Sequence, residues 1–548
     1  MVFVRGHRED FNQWEAAGAD GWGYDDVLPH FRSMETYLRG GDAYRGDTGP
    51  ISVSRMSDLH PMERAFLEAV DHAGYGLAHD YNGAYQDGGT AFDVNIVNGE
   101  RSGTAALISR IRSRPNLTVL TGAHVTRLLM GGGRVTGAAL IRNGTEQEAY
   151  CDSELILSAG AVQSPQILML SGIGPAGQLR SHGIAVRHDL PGVGENLHDH
   201  LEVHIKHRSA AGTSRNGLLK PHRMAAIGLQ WFLSRTGPAA TTPSRVGAFL
   251  RTARDVSYPD IQYHFWPYYL DGWSPPPDKD GYCFDVGPVQ TASRGWVRLA
   301  SADPLAVPVM RLNGLKEDID RKVFRESIRI TREIAAQSAF DRLRGPEVAP
   351  GPDATSDDEL NAFVRANANS AYHVCGTCKM GRDEMAVVAP DLRVHGIDGL
   401  RVVDASIMPS ITNGNTNAPS LMIGEKGASM ILETRRGRNA AWPAARSSST
   451  CIWRPRPRLS SPRWANACAA CSRKTASIST AHSLPDSPPA MCAASPSPPH
   501  RRGATAIWRR WWPTVRTFLQ AITTRFSSHP LRAGCRLLPI SIPRDTGR

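Results

Sequence analysis

Two polar side chains in the C-terminal half of the sequence could cooperate in proton transfer. His373 lies in the segment Tyr-His-Val-Cys, and a neutral imidazole can accept a proton near pH 7. Asn417 lies in a loop rich in Pro, Ser, Asn and Gly. Its carboxamide cannot act as a base, but it can hold and orient an oxygen atom. Without further context, His373 would be an ordinary core or surface histidine and Asn417 a residue that caps the next helix.

The elements around these residues predict a site for an anionic ligand. Leu400–Val403 is a short apolar run that predicts a strand ending in Asp404. The segment from Pro409 to Pro419 has loop composition, and Ser420–Leu432 has the apolar spacing of a helix. A strand, a polar loop and a helix N-terminus direct backbone N–H groups toward one point, which suits negative charge.

A second segment has a similar organisation. Glu154–Ser158 predicts a strand, Ala159–Ala161 a tight turn, and Ser164–Met169 a helix with Ser164 as N-cap and Pro165 at its first position. The motif Pro-Gly-Val-Gly-Glu-Asn-Leu-His-Asp-His follows at Pro191–His200.

These segments resemble the signatures of the glucose-methanol-choline oxidoreductases, flavoenzymes that oxidise alcohols with FAD. The similarity runs from about Val2 to about Glu433 and is greatest to the choline dehydrogenase branch. It implies a combined α/β and α+β fold, with an incomplete, three-layer, Rossmann-like FAD-binding domain and an antiparallel-sheet substrate domain. The implied boundaries are 1–200 for the FAD-binding part, 201–297 for the substrate domain, 298–435 for the C-terminal region and 436–548 for a disordered tail.

The resemblance also implies roles for individual residues. His373 and Asn417 match the catalytic pair, and Glu202 matches a carboxylate that meets the trimethylammonium group in choline-oxidising members. The cofactor-binding residues implied are Val125, Ala159, Gly160, Asp404, Ala405 and Asn415. The substrate-binding residues implied are Glu202, Tyr263, Phe265 and Trp266, whose aromatic rings could give cation–π contacts or simply form a half-buried strand.

The implied reaction is FAD-dependent oxidation of a primary alcohol, with choline converted to betaine aldehyde. The hydroxyl proton would pass to His373 while hydride leaves for flavin N5. Other aliphatic, aryl or polyethylene glycol alcohols are alternative substrates within the family. The expected partners are the alcohol and an electron acceptor, either a quinone or another carrier.

The sequence departs from the family at its start. The Gly-rich turn that holds the FAD pyrophosphate is expected before the segment Val2–Gly6 and is not found. Gly172–Gly177 has the spacing GxGxxG, but it follows a predicted helix, and Pro175 lacks an amide that a phosphate cradle needs. An inactive fragment unable to hold FAD is therefore an alternative.

The two parts of the chain differ in charge. Residues 436–548 contain 19 Lys and Arg but only two acidic residues, whereas residues 1–435 contain 44 basic and 50 acidic residues. The tail has no folded nucleic-acid-binding motif and no helix or strand period, so no nucleic-acid partner is predicted. We interpret the tail as non-native sequence from a shifted reading frame, with a natural disordered arm as the alternative.

Cysteine use and hydropathy favour a cytoplasmic protein, with peripheral association with the inner face of a membrane as an alternative. The body contains four of the nine cysteines, which fits a reducing compartment. Met1–Asp10 lacks signal-peptide features, and no apolar run reaches 18 residues. Cys375-x-x-Cys378 could form a redox pair. Together with Cys468-x-x-Cys471 it could instead form a zinc site, with His198, His200 or His373 as further candidate ligands. No metal site is predicted.

Several further elements are predicted from periodicity and turn residues. Apolar spacing predicts helices at Gly21–Thr36, Pro61–Gly74 and Lys316–Ala336. Asn116–Leu120 predicts a strand. Alternation on either side of Gly131–Arg134 predicts a hairpin, with strands Val125–Met130 and Val135–Ile141.

Overall fold

The computed structural model describes residues 2–272 and 274–441, the last five of these by their backbone alone. Almost all of the predicted tail, including Cys468 and Cys471, lies outside this part. No helix within the described residues is long and apolar enough to cross a membrane.

Three of the helices in the described residues begin with a capping box. The second longest helix, Asp318–Ala335, buries one apolar stripe that includes Phe324 and Ile328. A capping box starts the helix at Asp357, where the Ser356 side chain accepts from the Glu359 amide. The helices are α1 Arg8–Ala16, α2 Tyr24–Met34, α3 Pro61–His72, α4 Thr104–Ile111, α5 Gly160–Leu170, α6 Ala176–Ser181, α7 Pro221–Ser234, α8 Asp318–Ala335, α9 Asp357–Asn367 and α10 Asn417–Ala441.

The strands are mostly short and form several small sheets and one large one. They are β1 Glu35–Tyr37, β2 Ile51–Arg55, β3 Gly88–Ala91, β4 Asp93–Val94, β5 Ile96–Val97, β6 Glu100–Arg101, β7 Ala123–Gly131, β8 Arg134–Arg142, β9 Thr145–Tyr150, β10 Leu155–Leu157, β11 Ile173–Gly174, β12 His188–Asp189, β13 Leu201–Ser209, β14 Val246–Leu250, β15 Ile261–Trp266, β16 Gly281–Pro288, β17 Trp296–Arg298, β18 Val309–Arg311, β19 Arg344–Ala349, β20 Asn369–Ser370 and β21 Leu400–Val402.

The large sheet is antiparallel and has seven strands in the order β19-β13-β16-β15-β14-β3, with β20 added alongside β13. One face packs against α3, α8 and α9 in a core that contains Val203, Tyr263, Phe265 and Phe284. Residues two apart on a strand share a face, so the alternate residues of β13, β15 and β16 lie on the opposite side. The predicted antiparallel-sheet domain is confirmed.

A second core joins the two ends of the described chain. It contains residues from α1 and α2, from α5 and from α10, around the parallel pair β10 and β21. In that pair Leu155 lies opposite Leu400, and Leu157 lies opposite Val402. The meander β7-β8-β9 packs beside α5, and it contains the predicted hairpin at Gly131–Arg134.

The start of α5 differs from the sequence prediction. The helix begins at Gly160, so Ser164 and Pro165 lie inside it and do not form its N-cap and first position. Pro165 has no N–H to donate to the carbonyl one turn earlier, at Ala161. That carbonyl instead accepts from Thr377 Oγ1 at 2.6 Å. A partner 216 residues along the chain therefore supports the proline.

Candidate active site

His373 is anchored by a carboxylate on the neighbouring segment. Its backbone N–H donates to Asp199 Oδ1 at 2.8 Å, and the Ser370 hydroxyl donates to the other oxygen of the same carboxylate. Strand β20 pairs with β13, and Tyr372 then turns the chain with a φ of +63°. His373 therefore follows a turn whose backbone is fixed both by the Asp199 carboxylate and by the pairing of β20 with β13.

The loop before α10 is anchored by the N-terminal part of the chain. Asp10 Oδ2 accepts from the Asn413 amide at 2.7 Å, and the Asn413 side chain donates to the Pro259 carbonyl at 2.6 Å. Gly414 has a φ of +92°, and a Cβ there would lie 2.7 Å from Val4 Cγ1. Only glycine fits this position without strain, so the residue after it has a defined orientation.

The structure brings His373 together with Asn415. The distance from Asn415 Nδ2 to His373 Nε2 is 3.1 Å. Asn415 Oδ1 accepts from Gln262 Nε2 at 3.3 Å, which orients the carboxamide with its NH₂ group toward the imidazole. A carboxamide and an imidazole from distant segments therefore meet.

A chain of hydrogen bonds fixes the tautomer of His373. His200 Nε2 lies 3.0 Å from the Val289 carbonyl, which can only accept, so that nitrogen carries hydrogen. His200 Nδ1 is then an acceptor and lies 3.1 Å from His373 Nδ1, which must donate to it. The remaining nitrogen, His373 Nε2, presents its lone pair to Asn415. His373 Nε2 is thus the proton-accepting atom.

Burial keeps the imidazoles in this region neutral. Desolvation, followed by repulsion from His200 and His264, holds the pKa of His373 well below its usual value. Desolvation also lowers the pKa of His200 to about 4 and that of His264 to about 3. A histidine with a lowered pKa keeps its acceptor form throughout the neutral range.

Asn417, predicted as the second catalytic residue, does not meet His373. It is the exposed first residue of α10, and it lies two residues beyond the asparagine that contacts the imidazole. The physical reason is the turn at Gly414, which points the Asn415 side chain inward. The geometry corrects the sequence prediction by assigning the carboxamide of the pair to Asn415.

Asp404 joins the two segments predicted to bind the cofactor. Its Oδ2 accepts from the Gly160 amide at 2.9 Å and from the Ser164 hydroxyl at 2.6 Å, and its Oδ1 accepts from the Ser406 amide at 2.8 Å. The parallel pair β10 and β21 brings these groups together. The carboxylate therefore positions the turn at Ala159 and Gly160.

Gly160, one of the residues predicted to contact FAD, has open space beside its backbone. It has a φ of +80°, and a ligand can approach the backbone there. Thr412 Oγ1 is buried and has no hydrogen-bond partner among the described residues. Ala405 begins a short 3₁₀ helix after Asp404, and Val125 lies on β7 against the second core, the one that joins α1, α2, α5 and α10.

Two of the aromatic residues predicted to contact substrate lie in the core instead. Tyr263 and Phe265 pack with Phe66 on the helix-covered face of the sheet, and the Tyr263 hydroxyl donates to the Ser327 carbonyl at 3.0 Å. Trp266 lies on the opposite face because strand residues alternate. This corrects the sequence prediction, since alternation separates the residues into two sets without showing which set faces the ligand.

Glu202 lies on the face of β13 opposite the helix-covered core. Val203 and Ile205, which have the opposite phase along the strand, point into the core. The Glu202 side chain hydrogen-bonds with Asp285 on β16. Burial raises the pKa of Glu202 to about 7, the hydrogen bond with Asp285 opposes this rise, and the charge of Asp199 adds to it.

Sequence reasoning missed three residues of the candidate site: His200 as a partner of the imidazole, Gln262 and Asp285. Gln262 and Asp285 are buried polar residues on strands whose other residues are mostly apolar and buried. A buried polar residue needs a hydrogen-bond partner. A polar residue within an apolar strand was therefore the sequence signal that could have indicated these two residues.

The described residues contain no group of three or more His, Cys, Asp or Glu side chains arranged to hold a metal ion. Cys375 and Cys378 are fully buried, and burial raises the pKa of each thiol. The second cysteine pair of the zinc alternative lies outside the described part of the chain.

The chain is similar to enzymes of known activity. It is 45% identical to mitochondrial choline dehydrogenase of Mus musculus over 435 residues, which are 79% of this chain and 73% of the relative. It is 43% identical to oxygen-dependent choline dehydrogenase of Brucella canis over 465 residues, 84% of this chain and 83% of the relative.

Two solved structures of enzymes are also similar to this chain. Pyridoxine 4-oxidase from Mesorbium loti matches with a TM-score of 0.71 and 31% identity, covering 79% of this chain and 82% of that one. Formate oxidase matches with a TM-score of 0.74 and 29% identity, covering 80% and 82%. The N-terminal model of the GMC oxidoreductases matches residues 1–202, and the C-terminal model matches residues 291–424. The chain therefore belongs to the GMC oxidoreductase family.

Proposed function

We propose that this protein oxidises a primary alcohol to an aldehyde with FAD as cofactor, and that choline is its substrate. The chain of hydrogen bonds that leaves His373 Nε2 as an acceptor beside the Asn415 carboxamide is the observation that carries this proposal.

His373 and Asn415 have different roles at the substrate hydroxyl group. His373 Nε2 takes the hydroxyl proton as the carbon loses hydride, and the alcohol thereby becomes an aldehyde. Asn415 donates to the oxygen and holds it as negative charge develops. Gln262 keeps the Asn415 carboxamide in the orientation that makes this possible.

FAD, when bound, supplies the hydride acceptor. Ala159 and Gly160 offer backbone open to a ligand, and Asp404 holds their turn in place. The N-terminus of α10 carries the positive end of the helix dipole, which suits negative charge. We further propose that the core joining α1, α2, α5 and α10 carries the cofactor side and that the seven-stranded sheet carries the substrate side.

Glu202 is the residue that favours choline over neutral alcohols. Its carboxylate on the ligand side of the sheet suits a permanent cation that has no hydrogen to donate. Trp266, on the same face, can add a cation–π contact. The two curated relatives described above, whose names assign choline as their substrate, support this choice.

Flavin reduction by choline tests the proposal. Purified protein incubated with FAD should retain the flavin through gel filtration, and anaerobic choline should bleach its absorbance. The neutral isostere 3,3-dimethylbutan-1-ol is the matched control, and it should react less efficiently. A protein that retains FAD but is reduced equally well by both compounds would contradict the choline assignment, and a colourless protein would support the inactive-fragment alternative.

The proposal includes a quinone or another carrier as the acceptor of the electrons, and a cytoplasmic location with or without peripheral contact with the membrane. Turnover with a soluble quinone compared with oxygen consumption distinguishes the acceptors.

A further inference from the structure

Glu202 and Asp285 lie on one face of the large sheet, the face turned away from the helix-covered core. His204 is directly opposite Asp285 in the pairing of β13 with β16. Glu202 is two residues from His204, so its side chain projects from the same face and is a diagonal neighbour of Asp285. Gln262, which contacts Asn415, projects from this face too. The carboxyl pair therefore lies beside the candidate active site.

The two carboxyl groups are held together without a compensating cation in direct contact. Asp285 is 1% exposed and hydrogen-bonds with Glu202. Two carboxylates contain only acceptors, so a hydrogen bond between them needs a proton on one of them. Burial, followed by the charge of Glu202, raises the pKa of Asp285 well above its usual value.

The surroundings do not supply a positive charge to replace that proton. His204 Nε2 lies 3.4 Å from Asp285 Oδ1, but burial lowers the pKa of His204 to about 4, so this ring is neutral. His264, opposite Asp285 on β15, is neutral for the same reason. Asp199 adds negative charge, and Lys206 lies further along β13, beyond His204.

We propose that Asp285 is a specificity-determining residue that shares one proton with Glu202, and that a quaternary ammonium substrate displaces this proton when it binds. The inference rests on the proposed function, because it assumes that the substrate is a cation. The cation replaces the proton as the partner of the two carboxylates, and the proton leaves to solvent. A neutral alcohol cannot do this.

Coupling of this kind predicts a measurable pH dependence. If about one proton leaves for each cation bound, the affinity for choline rises by up to about tenfold per pH unit while the pair is still protonated. The affinity for 3,3-dimethylbutan-1-ol stays constant over the same range. Glu202 and Asp285 together therefore select for cations most strongly in mildly alkaline solution.

Infrared spectroscopy tests the shared proton without substrate. A protonated carboxyl group has a C=O band separate from that of a carboxylate. The difference spectrum between the wild-type protein and Asp285→Asn at pH 7 should show one such band. Asp271→Asn is the matched control, because this carboxylate is 71% exposed in the same region of the chain, and its spectrum should not lose the band. An identical band in Asp285→Asn would overturn the proposal.

Calorimetry of choline binding tests the displacement. Titrations at pH 7 in two buffers of different ionisation enthalpy count the protons released. We expect about one for the wild-type protein and Asp271→Asn, and less than half of that for Asp285→Asn. The affinity of the Asp285→Asn protein for choline should also depend less on pH above pH 7 than that of the wild-type protein, because asparagine can donate to Glu202 without a titrating proton.

The outcomes separate this inference from the proposed function. Choline binding with no proton release, or with an unchanged count in Asp285→Asn, overturns the shared proton and leaves choline oxidation standing. A protein that shows the carboxyl band but binds no choline supports the carboxyl pair and contradicts choline as the substrate.

Discussion

Replacing Asn415 by alanine is expected to slow flavin reduction by choline about 10²–10³-fold, because a donor aimed at developing negative charge contributes about 2.7–4 kcal/mol to transition-state stabilisation. The matched control is Asn417→Ala. Asn417 is exposed at the start of α10, and a surface substitution of this kind changes stability by about 0.5 kcal/mol or less. Because Asn417 does not contact His373, we expect a rate within about twofold of wild type, which is about 0.4 kcal/mol in activation free energy.

The magnitude distinguishes two roles for the carboxamide. Asn415 Nδ2 lies 3.1 Å from His373 Nε2. If Asn415 only oriented the imidazole, its loss would remove one neutral hydrogen bond, at a cost of about 0.5–1.5 kcal/mol or roughly tenfold at most. If Asn415 holds the substrate oxygen, the loss is at least tenfold larger. Asn415→Asp adds a test, because it keeps the shape and removes the NH₂ donor.

Anaerobic stopped-flow measurement of flavin absorbance at saturating choline gives the rate directly. Thermal unfolding of each variant checks that the fold is retained. A slow Asn417→Ala protein beside a fast Asn415→Ala protein would refute the assignment made from the geometry and restore the sequence prediction.

Three further perturbations have defined outcomes. Lowering the pH through about 7, the raised pKa of Glu202, protonates the carboxylate and should raise the KM for choline but not for 3,3-dimethylbutan-1-ol; steady-state profiles for both alcohols check this. Gln262→Leu should lower kcat about tenfold at constant KM, because one hydrogen bond orienting Asn415 is lost; the double variant with Asn415→Ala should be no slower than Asn415→Ala alone. Gly414→Ala should lower the free energy of unfolding by about 1–3 kcal/mol through its φ of +92° and its contact with Val4. In its control, Gly424→Ala, an added Cβ meets nothing within 4 Å, so a gain of up to about 1 kcal/mol is expected by chemical denaturation.

Elements with a strong period or a distinct turn could be predicted from the sequence. The helix expected at Lys316–Ala336 is α8 at Asp318–Ala335, and the hairpin at Gly131–Arg134 joins β7 and β8. The strand predicted at Asn116–Leu120 is wrong. These residues are almost all exposed and form no strand, and β-propensity alone does not hold an unpaired segment extended.

Two helix starts were predicted at the wrong residue, and for α5 the reason is a long-range contact. The helix expected from Ser420 begins three residues earlier, at Asn417. Pro165 suggested a helix start, but Thr377 satisfies the carbonyl that the proline leaves free and lets the helix continue.

Contacts between distant segments also limited how much of the candidate site could be predicted from the sequence. The position of His373 follows from its motif, whereas its pairing with Asn415 depends on how a loop turns at Gly414. The register of β13, β15 and β16 determines that Asp285 meets Glu202, and no pattern within a single strand contains that information.

The carboxylate of Asp10 has a consequence for how the protein is made. Its second partner, the Asn413 amide, follows 403 residues later in the chain. At roughly 5–20 residues per second, the ribosome needs on the order of 20–80 s to synthesise that stretch. A nascent chain therefore exposes α1 long before the loop that covers it exists. Flavin loading should therefore be a late event that follows the synthesis of this loop.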